Sequence, residues 1–158
     1  MAKVFEDYFS QALTDMIDIC AEYADYRAEK VFVYSICTKG NGAITQDFFY
    51  QFHGKIVDRS RLNDALENGE EPIDTDPSVQ GQVLDILFRD LLDISKACKA
   101  FQREIPVELF LTYDMRTKKF DAKCSYKPVD DFMEADRWMA REAAALGTTP
   151  ITSAPQKR

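Results

Sequence analysis

The stretch from Pro77 to about Arg103 constrains this chain more than any other, because only one kind of element satisfies its pattern. Val79, Val83, Leu87, Leu91, Ile94, Cys98 and Phe101 recur at three- and four-residue steps, the spacing of one face of an α-helix. Leu84, Phe88 and Leu92 widen the stripe on one flank and Ile86 on the other. An arc that wide predicts a helix buried deeply against a sheet. Asp76 is placed to cap its start and Pro77 to take the first helical position, where a missing N–H costs nothing.

The sheet comes from either side of this helix. Val31–Cys37 is β-branched and aromatic, and Asn41-Gly42 marks a tight turn into a return strand over Ile44–His53. Gly54-Lys55 offers a second turn before Ile56-Val57. Beyond Pro106, alternation over Val107–Tyr113 and Phe120–Tyr126 around the turn 115–119 predicts another hairpin with one wet face. An amphipathic helix is expected over residues 3–25 and a short one over Leu62–Leu66. A last one should follow Pro128, with Phe132, Ala135, Met139, Ala143 and Leu146 inward and Gly147 as its stop. Hairpins demand antiparallel pairing. The expected fold is therefore α+β: an antiparallel sheet of four or five strands packed with a long central helix plus N- and C-terminal helices. The domain should span 1–147, with 148–158 a flexible polar tail.

Of 158 residues, eleven are Phe and only six Gly, and the net charge is −7. Such a chain lacks material for phosphate-cradling loops and would repel a nucleic-acid backbone. An acidic protein suits a basic partner. Cys20, Cys37, Cys98 and Cys124 are far apart and unpaired in sequence, and each sits at an apolar phase. That predicts four buried free thiols, no metal site and no cofactor. With no signal-like apolar segment and no apolar run of spanning length, a cytoplasmic location and no membrane contact are expected.

Catalytic chemistry finds little support. Nucleophilic mechanisms need a base beside the nucleophile, and His53 is the one imidazole, at a strand end. The carboxylate pairs Glu70-Glu71 and Asp130-Asp131 fall in loops or first helical turns, where negative charge is favoured anyway. No phosphate-binding, dinucleotide, zinc-protease or EF-hand motif occurs. The chain is expected not to be an enzyme. A small ligand-binding or enzymatic domain using His53 and nearby carboxylates is the alternative.

Two stretches can serve as binding surfaces. The connection 58–76 carries seven acidic residues against two arginines. In the strand Phe48-Phe49-Tyr50, adjacent rings must point to opposite faces. Either a helix covers each face, or an aromatic patch is left for a partner.

From about Val31 to Glu142 the chain resembles the YezG-like immunity (antitoxin) family. The stretches concerned are Gln82-Val83-Leu84 through Asp90-Leu91-Leu92, Arg103-Glu104-Ile105-Pro106-Val107-Glu108-Leu109, Leu111-Thr112-Tyr113-Asp114, Lys119-Phe120-Asp121-Ala122 and Ser125-Tyr126-Lys127-Pro128. Phe48-Phe49-Tyr50, Gly54-Lys55-Ile56-Val57 and Ala135-Asp136-Arg137-Trp138 also resemble it. The resemblance implies an immunity protein that neutralises a cognate polymorphic toxin, a basic nuclease domain, by forming a stoichiometric complex. Nucleic acid is not contacted directly. Charge complementarity then points to Asp58, Glu67, Glu70, Glu71, Asp74 and Asp76, with Phe49, as the partner-binding residues. Reversing Glu70, Glu71 and Asp74 to lysine is expected to leave folding nearly unchanged, because solvated loop charges add little stability.

Overall fold

A computed structural model describes residues 3–37, 44–129 and 133–152. Five strands form one antiparallel sheet in the order β3-β2-β1-β4-β5: β1 (Lys30–Cys37), β2 (Ile44–Phe52), β3 (Lys55–Asp58), β4 (Glu108–Asp114) and β5 (Phe120–Ser125). The α+β expectation and the long central helix hold. Helix α1 (Phe5–Tyr23) and helix α2 (Pro77–Ala100) run antiparallel on one face, and α3 (Glu134–Ala145) lies on the other. A 3-10 segment over Arg59–Ala65 stands where the short helix is expected. The Asn41-Gly42 turn lies outside the described residues.

Strand β1 is central and buried on both sides, which explains its unbroken apolar composition. Val31 and Val33 face α1 and α2, while Phe32, Tyr34 and Ile36 face α3. The β2–β3 turn is two residues, His53 (φ 48°) and Gly54 (φ 73°). Both left-handed conformations are what a type I′ hairpin requires. Its glycine is cheap there; its histidine is not.

Helix α2 begins as expected, with Asp76 accepting from the Ser78 N–H at 2.9 Å and Pro77 behind it. It ends at Ala100, three residues early, because Gln102 turns left-handed (φ 54°) and Arg103 N–H returns to the Cys98 carbonyl at 2.7 Å. The wide apolar arc is corrected: Phe88 and Leu92 are exposed, and Asp90 is buried. The buried arc is turned toward α1, because α1 and not only the sheet covers this helix. Phe101, past the helix end, is also exposed, although it stacks edge-on against Phe5.

Strand β5 is exposed on both faces, not one. Two helices about 10 Å wide cover roughly four strands spaced about 4.8 Å. Helices α1 and α2 lie over β1, β2 and β4, so the fifth strand projects past them. Cys124 is therefore exposed and Cys37 half-buried, while Cys20 and Cys98 are buried; all four are free thiols.

On the opposite face α3 buries Ala135, Trp138, Met139 and Ala143. Phe132 lies outside the described residues and Leu146 is exposed. Gly147 (φ 75°) ends α3 as predicted, with Thr148 N–H bonded to the Ala143 carbonyl at 3.0 Å. The tail is corrected in part. Ile151 pairs parallel to Val57, exchanging backbone bonds of 2.8 Å with Ile56 and Asp58. A bare sheet edge at β3 is a better partner for that backbone than water. No helix among the described residues is long and apolar enough to cross a membrane.

Candidate functional site

The acidic connection is a pinned strap rather than a loop of solvated charge. Leu62, Ala65 and Ile73 anchor it in the core. Asn63 locks it further, donating to the Ile73 carbonyl at 2.9 Å and accepting from the Ile73 N–H at 2.8 Å. Several of the acidic side chains have structural duties. Asp58 accepts from Ser60 N–H at 2.8 Å to start the 3-10 segment, and from the Thr152 hydroxyl at 3.2 Å. Asp76 caps α2, and the Ser78 hydroxyl and N–H hold its carboxyl below the usual range. Asp74 accepts from Asp76 N–H at 3.0 Å.

Glu70 is held by three donors from three different segments. Its Oε1 accepts from Glu67 N–H at 2.7 Å and its Oε2 from Arg27 at 3.2 Å, while Arg27 also donates to the Glu71 carbonyl at 2.7 Å. The Glu67 N–H, followed by His53 and Arg27, keeps the Glu70 carboxyl below its ordinary value. Reversing Glu70 would leave Arg27 and His53 facing a lysine. The expected neutrality of the triple reversal is therefore corrected for Glu70. Glu71 is exposed, and among the described residues no hydrogen bond or ion pair holds its carboxylate.

Phe49 is also corrected. It is fully buried, stacked on Phe32 at 4.5 Å between ring centroids and edge-on to Trp138 at 5.2 Å. Helix α3 covers one face of the aromatic strand, and α1 with α2 the other, where Phe48 and Tyr50 lie.

His53 sits between two carboxylates, with Nδ1 3.0 Å from Glu67 and Nε2 2.6 Å from Glu70. The strained turn that carries it aims the ring at the strap. A ligand atom from each residue lies within 4.8 Å of the others, close enough for one metal ion. Three donors already reach the Glu70 carboxylate, however, and both ring nitrogens have partners. The arrangement works without a metal as a clamp that fastens the β2–β3 turn to the strap.

The feature hardest to read from sequence lies between the two helices. Along their outer side runs a groove of about 1030 Å³. Asp15 and Asp18 line it from α1, and Asp90 and Asp93 from α2, with Lys96 the one cation among its lining residues. A smaller depression of about 360 Å³ continues the same seam toward the strap, with Glu22, Asp25 and Asp74 in its lining. Asp90 is only 8% exposed. Its Oδ2 is the one buried side-chain oxygen or nitrogen among the described residues that lacks a hydrogen-bond partner. Burial, then a shared hydrogen bond with Asp15 and repulsion from Asp15 and Asp93, push its carboxyl up to about 8.

A signal for this groove exists in the sequence. Asp90 stands at a core phase between Leu87, Leu91 and Ile94, where a charge is out of place. The same Asp-x-x-Asp spacing at Asp15/Asp18 and Asp90/Asp93 puts both carboxylates of each pair on one helix face. Which faces meet is a tertiary matter. Neither the protein-family profiles nor the curated proteins compared with this chain match it.

Proposed function

We propose that this chain is an immunity protein of the YezG-like kind, a non-catalytic binder that neutralises a basic toxin domain of nuclease type by stoichiometric complex formation. The carrying observation is the acidic face. Helix α1, helix α2 and the strap contribute Asp15, Asp18, Glu22, Asp25, Asp74, Asp90 and Asp93 to one seam on one side of the sheet. A nuclease must present cations where phosphates bind, and an acidic surface of matching extent can occupy those cations. The rigid strap suits this role, since a preformed surface loses less entropy on association.

Co-expression with the product of the neighbouring reading frame, followed by co-purification, tests the reading directly. For the complex so obtained, reversal of Glu22, Glu71 and Asp74 to lysine should slow association by about tenfold or more at low salt, with the difference shrinking as salt rises. Glu70 is left intact because it holds Arg27 and His53. An association rate equal to the parent's at low salt would remove this face from the interface.

A further inference from the structure

We infer that the groove between α1 and α2 is a receptor for an arginine side chain on a basic segment of the protein partner. The guanidinium seats among Asp15, Asp93 and the deeper Asp90, and its methylene stem lies along Ala97 and Ala100. This deepens the binder reading and rests on it for the source of the basic segment.

Four observations converge on a cation with a stem. Asp90 is more than nine-tenths buried, lines the groove, and has an oxygen no donor reaches. Proteins rarely leave such an oxygen unsatisfied without a reason, because the desolvation cost is not recovered. Its charged neighbours do not supply the missing donor. Asp15 from α1 and Asp93 on α2 act on it directly, and Asp18 and Lys96 line the same groove; the nearby Cys20 thiol is buried and kept neutral. The groove thus gathers four carboxyl groups against one ammonium.

Size and shape select the occupant. At about 1030 Å³ the groove is far larger than a metal ion needs. Nor do its carboxylates converge as ligands: among the described residues the one cluster tight enough for an ion is His53, Glu67 and Glu70. Alanines and the half-exposed rings of Tyr8 and Phe101 line one end. Such a surface accepts the apolar stem of a long basic side chain, and an aromatic face attracts its head. Carboxylates on two helices match the planar fork of a guanidinium, which can serve two acceptors at once, better than the point charge of an ammonium.

Occupancy should be coupled to a proton. Without a cation in the groove, burial, a hydrogen bond to Asp15 and repulsion from Asp15 and Asp93 keep the proton on Asp90. An arriving guanidinium favours the ionised carboxylate, so the proton leaves to solvent as the ion pair forms. Binding should therefore strengthen as pH rises toward about 8 and then level off.

The test is titration calorimetry of the full chain with an acetylated hexa-arginine peptide at low salt and pH 7, in two buffers of different ionisation enthalpy. Asp90→Asn and Asp93→Asn should each weaken binding about fivefold or more relative to Asp121→Asn, which makes the same substitution on exposed β5, away from the groove. Asp90→Asn keeps the side-chain shape and is neutral at every pH, so it should fold. The parent should release protons on binding and Asp90→Asn should not. Equal affinity for Asp90→Asn and Asp121→Asn, or heats in the parent that ignore the buffer, would overturn the assignment. Hexa-lysine binding as tightly as hexa-arginine would overturn the guanidinium preference. The co-purification experiment reports separately on the binder reading. Peptide binding through Asp90 with no co-purifying partner leaves the groove and removes that reading; the reverse removes only the groove.

Discussion

Replacing Trp138 with alanine should destabilise the protein by about 3–5 kcal/mol, the range for deleting a large aromatic from a packed core. Helix α3 is only 12 residues long and meets the sheet through four buried side chains. Three of these, Ala135, Met139 and Ala143, are smaller than the indole. Trp138 is set edge-on against Phe32, Phe49 and Phe110 at 5.5, 5.2 and 5.2 Å between ring centroids. Its removal uncovers the stacked Phe32–Phe49 pair and takes three favourable ring contacts with it. Urea denaturation followed by far-ultraviolet circular dichroism measures the loss. Fluorescence serves only the parent, since Trp138 is the sole tryptophan. Leu146→Ala is the internal control: Leu146 is exposed and should change stability by less than about 0.5 kcal/mol. A loss below about 1 kcal/mol for Trp138→Ala would mean that α3 is not docked as described.

Asp90→Asn should do the opposite and stabilise the protein by about 1–3 kcal/mol at pH 8. An unfolded aspartate ionises near pH 4, whereas in the fold burial, Asp15 and Asp93 push the Asp90 carboxyl up to about 8. Between those values the folded state holds a proton that the unfolded chain has released. Stability therefore falls as pH rises through that window and is level above it. Asparagine cannot ionise, keeps the shape, and offers Asp15 an N–H. Its advantage should grow from near zero at about pH 4 to its full size near pH 8. The range stated is below the full linkage value because water penetration and relaxation soften buried charges. Urea midpoints for parent and variant at pH 4.5, 6 and 8 check it. A difference that does not vary with pH would show that Asp90 titrates like an ordinary surface carboxyl. The two Asp90→Asn experiments pull in opposite directions, stability up and cation affinity down, as expected of a group held in place for a ligand at the expense of the fold.

How much of this was legible in the chain depends on the range of the interaction concerned. The Asp76 cap, the Pro77 start, the Gly147 stop and the tight turn at Gly54 follow from residues within a few positions of one another. So does the strand order within each hairpin, because a short connection forces antiparallel neighbours. Hydrophobic period alone distinguished α1, α2 and α3 from the strands between them. Those local rules determined the α+β architecture before any contact was known.

Everything about the candidate site depended on elements that meet across the fold. Period placed Phe49 opposite Phe48 but could not say that Trp138, far along the chain, would cover it. Charge density marked the 58–76 connection but not that Arg27 and His53 reach across to hold Glu70. Width of stripe suggested that Phe88 and Leu92 are inside, whereas the position of α1 turned α2 so that Asp90 is inside instead. The covering power of two helices left β5 bare, and an open β3 edge drew in Ile151. The sequence by itself determined which elements exist and how each begins and ends, since hydrogen bonding and period act over a turn or two. Only the tertiary structure decided which charges are structural, which are solvated and which face a groove, because burial and electrostatic environment are set by whatever distant segment lies on top.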